Sequence, residues 1–454
     1  MKIALVKVSS YQKWYKIPSF ALGYLSAVLE KNGIEVKIFD GRYFDIKDKQ
    51  LIDDLCGFSP EIIGFSAMTH EIKRTAKIAE KVKERVNVKV VFGGCHLSAL
   101  PEETMEEFLV IDYGVLGEGE YTLLDIVTHA RGQMRIEEID GVIFRKDGKM
   151  IRNKPRELIS DLDLLPFAAF DQYYRKGIEG LNDKSIYPIL SSRGCPFSCS
   201  FCMRILGRKV RYRSAENIIT EIELAIDKYG IQLIDFHDEI FLFNNERTNG
   251  LLTKFIESGL SKKIKWSGLT RVDLIDQKII ELAKEAGCYR IELGVESGND
   301  GILKRINKNT TVSQIERAVD IIKKSKIKIS SYYILGHPGE TEATMKETIN
   351  LAVKLNTDYI AVGIMVPYPG TEIYQWAKEG KFGYRLRSAD WDTYDKYGGS
   401  ALEFEGLSFK KILNFQRKAY LDFYLKNLRF IDLIKFIFSR WAGILNLLFK
   451  KYAD

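Results

Sequence analysis

The sequence predicts an α/β protein made of two successive strand–helix units followed by a helical C-terminal region, and three observations carry that prediction. In the first third, short apolar runs at 3–8, 35–40, 62–66, 88–92 and 113–116 alternate with helical patterns at 22–32, 72–85, 102–108 and 121–131. Strands that alternate with helices build a parallel sheet covered on both faces, here a doubly wound one. The alternation resumes with strands at 186–190, 233–237, 264–269, 289–293, 329–335 and 359–365 and helices at 216–229, 277–286, 312–325 and 342–355. Beyond 386 it stops, and helical patterns at 409–425 and 427–452 take over.

At 454 residues the chain is too long for one ordinary domain, and 46% hydrophobic against 28% charged residues suits a large globular enzyme. Its units are expected at 1–150, 186–385 and 386–454, joined by a connector over 151–185. That connector carries Phe167, Phe170, Tyr173 and Tyr174, too apolar for a solvated linker, and is expected to pack on both neighbours. The net charge of +7 is spread along the chain and gives no footprint for nucleic acid. No secretory leader pattern opens the chain, and no run of apolar residues is long enough to span a bilayer. With Cys56, Cys95 and Cys288 scattered singly, cysteine usage fits a reducing cytoplasm rather than a disulfide framework.

The other three cysteines are clustered. Cys195, Cys199 and Cys202 form a C-x3-C-x2-C loop between a strand and a helix capped by Ser214. Three thiolates in one loop can hold three corners of a four-iron, four-sulfur cluster and leave the fourth iron open to a ligand. A structural zinc knuckle and three unrelated buried thiols are the alternatives; zinc needs a fourth ligand at short spacing, and the next Cys or His is His237.

Further motifs extend this reading. Phe201 supplies the aromatic of a C-x3-C-x-aromatic-C pattern, Gly294-Val295-Glu296-Ser297 closes an apolar strand, Gly336-His337-Pro338-Gly339-Glu340 follows the next strand, and Pro367-Tyr368-Pro369-Gly370-Thr371 the one after. With these four motifs in order, residues 186–375 resemble the radical S-adenosylmethionine superfamily. The resemblance implies a partial (β/α)6 barrel with its active site at the carboxyl ends of the strands, and a cluster that splits S-adenosylmethionine into a 5′-deoxyadenosyl radical. It implies contacts to S-adenosylmethionine from Phe201, Glu296, Ser297 and Gly336. Arg271 is the candidate cation for the methionine carboxylate, against the plainer reading of a surface arginine, and Asp238, preferred over its neighbour Glu239, the candidate partner of the amino group.

The loops at the carboxyl ends of the N-terminal strands are where doubly wound sheets bind ligands. They carry Ser66 and Thr69, then Gly93, Gly94 and His96, then Gly117, Glu118 and Gly119. Glycine there is weak evidence alone, because turns need it. Together these loops resemble the Rossmann-like cobalamin-binding domain that precedes many radical S-adenosylmethionine enzymes, with an empty domain as the alternative. The D-x-H-x-x-G segment that supplies a lower axial histidine in cobalamin mutases is absent; Asp235-Phe236-His237 imitates its start, but Ile240 stands in place of the glycine. The expectation is cobalamin with no histidine on cobalt, and His96 as a loop contact. Methylthiotransferases would need three further cluster cysteines in this domain, which holds only Cys56 and Cys95.

In 427–452 the cations Arg429, Lys435, Arg440 and Lys450 line one stripe, opposite Phe430, Ile431, Ile434, Ile437, Phe438 and Trp441. That is the composition of a membrane-surface helix; the alternative, and the commoner fate of such a helix, is to pack its apolar face on the barrel. The reading is thus a cytoplasmic cobalamin-dependent radical S-adenosylmethionine methyltransferase, served by a flavodoxin or ferredoxin, acting on a small-molecule or lipid substrate. A ring-forming oxidative cyclase and a non-catalytic cobalamin sensor are the alternatives. The motifs leave the substrate open, because its cavity is built from loops outside them.

Overall fold

The computed structural model describes residues 1–8, 17–174, 186–396 and 399–438. Its N-terminal sheet contains β1 (Lys2–Lys7), β2 (Glu35–Asp40), β3 (Ile62–Ser66), β4 (Lys89–Gly93), β5 (Tyr113–Val115), β6 (Val142–Lys146) and β7 (Lys149–Arg152) in the order β2-β1-β3-β4-β5-β6-β7. The first five strands in that order are parallel, and the 2-1-3-4-5 arrangement is that of doubly wound nucleotide-type folds. β6 and β7 form an antiparallel hairpin on the far edge, absent from the sequence expectation. Asp147 and Gly148, at φ 50° and 75°, give it the two-residue turn that suits twisted strands. This hairpin carries the sheet two residues past 150.

Helices α1 (Phe20–Lys31), α2 (Asp48–Phe58), α3 (Ile72–Lys83), α4 (Cys95–Ala99), α5 (Pro101–Glu107) and α6 (Glu120–Ala130) cover the sheet. The helix α2 was not expected; it buries only Leu51, Ile52 and Leu55 among many charges, too narrow a stripe to stand out in the sequence.

The second sheet is wholly parallel: β8 (Ile186–Ile189), β9 (Leu233–Phe236), β10 (Lys265–Thr270), β11 (Cys288–Glu296), β12 (Lys328–Leu335) and β13 (Tyr359–Ile364) lie side by side in chain order. β8 and β13 do not pair, so the barrel is open, as the resemblance implied. The helices α7 (Ala215–Tyr229), α8 (Glu246–Glu257), α9 (Gln277–Glu285), α10 (Val312–Lys324) and α11 (Glu342–Leu355) cover its outer face. Ile234, Phe236, Trp266, Ile291 and Leu293 point toward those helices and are at most 2% exposed. Strand side chains alternate, so the residues between them face the concave interior.

The connector packs on both units. Phe170, fully buried, touches Phe20 on one side and Tyr187 on the other, at 6.1 and 5.4 Å between ring centroids. Gly23 permits this: a Cβ there would meet the Phe170 ring at 2.6 Å. The side chain of Gln172 accepts from Ile38 N at 2.8 Å and donates to Val36 O at 3.2 Å, capping the free edge of β2.

The C-terminal region begins not with a helix but with a clamp. Strands Tyr384–Leu386 and Leu402–Phe404 pair antiparallel, and Trp391 between them returns to the N-terminal unit, donating to Glu107 Oε2 at 2.8 Å. Helix α12 (Phe409–Lys426) then packs on the barrel, where the Tyr420 hydroxyl accepts from Val362 N at 2.9 Å. Helix resumes at 430 and is described to 438. Here the expected stripes are rearranged. Arg429 turns inward, donating to the carbonyls of Thr357 and Asp358 at 2.7 and 2.8 Å, and Phe436 stacks on Tyr420 at 4.6 Å. Leu428, Phe430, Ile431, Ile434, Ile437 and Phe438 remain exposed. Arg440, Trp441 and Lys450 lie outside the described residues. Among the described residues no helix is long and apolar enough to cross a membrane.

Replacing Phe170 by Ala removes the ring shared by both units and is expected to cost about 3–5 kcal/mol, measurable as a lower urea midpoint.

Candidate functional site

The cysteine loop is pinned from several sides. Gly194 enters it at φ 103°, where a Cβ would meet Lys209 O at 2.5 Å, so only glycine fits. Cys195 N then donates to Gly207 O, Ser200 N to Ile306 O, and Ile373 N to Ser200 O, at 3.2, 3.0 and 3.2 Å. Among the described residues no three His, Cys, Asp or Glu side chains converge on a point that a single metal ion could occupy. A four-iron cube spreads its thiolates apart, and the donor set, three thiols beside the cations Arg271 and Lys308, suits an anionic cluster.

Arg271 is at this loop but its donors are engaged. It forms a double contact with Asp273 at 3.0 and 3.1 Å, donates to Lys308 O at 2.6 Å, lies over the Phe197 ring at 3.8 Å and reaches Cys199 Sγ at 3.6 Å. It braces the loop. The cation that stands with Glu296 is Lys308, which sequence reading missed: Nζ donates to Glu296 Oε1 at 2.9 Å, and both side chains are under 10% exposed. Lys308 sits in a turn with no recognisable motif of its own, and only the fold brings it across to Glu296. Glu296 itself holds φ 68° at a register shift in β11, a strained conformation of the kind that collects at functional sites.

Two expected contacts are turned elsewhere. Asp238 accepts from Ser191 N at 3.0 Å and from the hydroxyls of Ser191 and Ser192, so it fixes the strand end that feeds the loop; Glu239, the acid not preferred, accepts from Gly194 N at 3.3 Å. The Ser297 hydroxyl faces α11, 3.3 Å from Thr348 Oγ1. Phe201 lies over the site with its ring 6.5 Å from that of His337. Gly336 N donates to Glu340, and burial pushes that carboxyl up to about 8 and the His337 imidazole down to about 4. Burial thus favours the neutral form of both groups.

In the N-terminal unit, a cavity of about 250 Å³ opens at the carboxyl ends of β3, β4 and β5. Ser66, Gly93, Gly94, Gly117, Glu118 and Gly119 line it as expected. Thr69 and His96 do not. His96 lies on the other side of the sheet, fully buried against Trp391 with ring centroids 4.7 Å apart, and burial lowers its pKa to about 4. Among the described residues no histidine lines the cavity. The sequence reading missed the apolar wall of Phe20, Tyr24 and Leu25 from α1, although Gly64, a glycine inside an apolar strand, signals close approach there.

Leu190, Arg193 and Leu206 of the barrel complete the same cavity. Arg193, two residues before Cys195, donates to Glu118 at 2.9 Å and to Glu120 at 2.6 Å, and Arg211 meets Glu118 at 2.9 Å, all of them buried. Burial alone would raise the Glu118 carboxyl; Arg211 and Arg193 beside it hold it below its ordinary range. The cavity and the cysteine loop thus share one wall.

Comparison with known proteins agrees with both halves of this geometry. Residues 189–352 match the radical SAM superfamily and residues 13–127 the B12 binding domain. An uncharacterized methyltransferase of Pyrococcus horikoshii is 32% identical over 90% of this chain and 88% of its own. The anaerobic magnesium-protoporphyrin IX monomethyl ester cyclase of Rubrivivax gelatinosus is 27% identical over 83% of this chain and 68% of its own. The radical S-adenosylmethionine methyltransferase TsrM of Kitasatospora setae, solved with cobalamin and a [4Fe-4S] cluster, superposes with a TM-score of 0.72 at 18% identity, over 93% of this chain and 88% of that one, a likeness of fold. The chain belongs to the cobalamin-dependent radical S-adenosylmethionine enzymes, whose cofactors are a four-iron, four-sulfur cluster, S-adenosylmethionine and cobalamin.

Proposed function

We propose that the enzyme methylates an unactivated carbon of a small molecule, and that its two cofactor sites serve one substrate between them. The observation that carries this reading is the shared wall, in which Arg193 belongs both to the cavity lining and to the segment entering the cysteine loop. When bound, the cluster supplies the electron that cleaves S-adenosylmethionine, and cobalamin carries the methyl group.

The chain's own residues do the rest. Cys195, Cys199 and Cys202 hold the cluster, and Arg271 keeps Cys199 in place. Glu296 is the acceptor for ribose hydroxyls, and Lys308 is the cation for the methionine carboxylate. Gly93, Gly94 and Gly117 let a large ring approach the backbone, while Phe20, Tyr24 and Leu25 exclude water from the cavity. Cys56, Cys95 and Cys288 lie on three separate elements, and a separate one-electron carrier, such as a flavodoxin or ferredoxin, serves the cluster.

Anaerobic protein reconstituted with iron, sulfide, cobalamin and methyl-labelled S-adenosylmethionine is expected to form 5′-deoxyadenosine and, with cell extract, a product heavier by the labelled methyl group. Cys199→Ala is expected to abolish 5′-deoxyadenosine formation, and Cys288→Ala to leave it intact. A product lacking hydrogen and carrying no label would favour the cyclase reading suggested by the Rubrivivax relative.

Two narrower expectations follow from the geometry. Cob(II)alamin in the holoprotein is expected to give an electron paramagnetic resonance spectrum without nitrogen splitting, unchanged in His96→Ala, because no described histidine lines the cavity. The exposed apolar residues from Leu428 to Phe438 dock on a lipid surface, the one feature that supports a lipophilic substrate. Flotation with anionic liposomes is expected to carry the full chain and to leave behind a chain with Ile431, Ile434 and Phe438 replaced by Ser; equal behaviour of the two would remove the membrane reading.

A further inference from the structure

Glu296 stands at the centre of a three-residue turn. Ser297 N donates to Val295 O at 2.9 Å, a bond from one residue to the second before it, and the residue between them has φ 68°. That is the sense of the rare γ-turn, which strains any residue with a Cβ and persists only where its surroundings hold it. Beyond the turn, Gly298 N donates to Thr348 Oγ1 of α11 at 2.9 Å, and a Cβ on Gly298 would meet Thr348 Cα at 2.7 Å, so the exit is fixed against that helix. Before it, Gly294 leaves the space into which the carboxylate folds back; a Cβ there would strike both Glu296 Oε1 and Lys308 Nζ.

A side chain holds the turn itself. Nε2 of His337, on the loop after β12, lies 3.3 Å from Glu296 O, and both residues are buried. A carbonyl only accepts, so Nε2 carries the proton, and burial, which favours the neutral ring, leaves Nδ1 without one. That second nitrogen is buried and makes no hydrogen bond among the described residues. A half-satisfied imidazole is a poorer filling for an interior than an apolar side chain of similar size. What the ring contributes is therefore its single N–H, directed at the carbonyl of Glu296.

The same contact ties the turn to the cysteine loop. The His337 ring neighbours that of Phe201, 6.5 Å between centroids. Lys308, which donates to the Glu296 carboxylate, has its own carbonyl taken by Arg271 at 2.6 Å, and Arg271 reaches Cys199. A continuous series of contacts thus runs from His337 through Glu296, Lys308 and Arg271 to a cluster ligand, with the carboxylate and the ammonium assigned to S-adenosylmethionine in its middle.

We propose that His337 is a positioning residue for S-adenosylmethionine: its Nε2–H, bonded to the Glu296 carbonyl, holds the turn that aims the Glu296 carboxylate, and through it Lys308, at the cofactor. The proposal rests on the roles given to Glu296 and Lys308 above. Binding of labelled S-adenosylmethionine to the anaerobic holoenzyme, measured by equilibrium dialysis, tests it. His337→Leu, which fills the space without the donor, is expected to lose about tenfold in affinity, the upper range for one neutral hydrogen bond, while iron and cobalamin content per chain stay at the wild-type level. His337→Gln, whose amide offers an N–H near the place of Nε2, is expected to recover to within about threefold of the wild type. Glu296→Gln alone is expected to weaken binding, and adding His337→Leu to it to lower the affinity little further, because the histidine acts through Glu296. Should His337→Leu not fold, His337→Met takes its place in both backgrounds. Wild-type affinity in His337→Leu, a Gln variant as weak as the Leu one, or a full further tenfold loss in the Glu296→Gln background would each overturn the proposal while leaving the role of Glu296 standing. Glu296→Gln binding as tightly as the wild type would overturn that role, and this proposal with it.

Discussion

Four buried charges hold the two halves of this enzyme in one arrangement. Glu118 and Glu120 come from the glycine-rich loop of the N-terminal sheet, and Arg193 and Arg211 from the strands that enter and leave the cysteine loop. Such a group adds little net stability compared with apolar packing, but removing one partner leaves charge stranded in the interior, at a cost of about 3–5 kcal/mol. Its value is geometric. A guanidinium between two carboxylates fixes direction as well as distance, so the cavity and the loop cannot drift apart without breaking the set.

The rest of the molecule reinforces that arrangement from outside. Phe170 and Gln172 of the connector tie α1 and the edge of β2 to the barrel. On the opposite side Trp391 and Asp390 return from the C-terminal region to Glu107 and Lys73. His96 belongs to this second tie: set edge-on against Trp391 and kept neutral by burial, it does not line the cavity. Between the ties, the concave face of the barrel is left open toward both cofactor sites.

What the sequence made legible follows from how local each signal is. The three cysteines, the glycine-rich loops and the alternation of strands with helices are contained in runs of a few residues, so the two sheets and the loops of the two candidate sites were legible in them. Adjacent carboxylates were harder. Alternation was expected to turn Asp238 and Glu239 opposite ways, but the strand ends at Phe236, and both acids bond the segment that enters the loop, Asp238 through Ser191 and Ser192 and Glu239 through Gly194. Arg271 does lie at the cysteine loop, where Asp273, two residues on, is its ion-pair partner. Lys308 was invisible because its meaning comes wholly from a partner on another element. The C-terminal clamp escaped for the same reason: two strands of three residues each carry no periodicity that can be read.

The account stands on the claim that the two cofactor sites open on one space. Continuous-wave and relaxation-resolved electron paramagnetic resonance of the cob(II)alamin holoenzyme, recorded with the cluster oxidised and then reduced, tests that claim most directly. Two paramagnets that share a wall couple, so the cob(II)alamin signal is expected to broaden and relax faster once the cluster is reduced. A signal of the same width and relaxation rate in both states would contradict it.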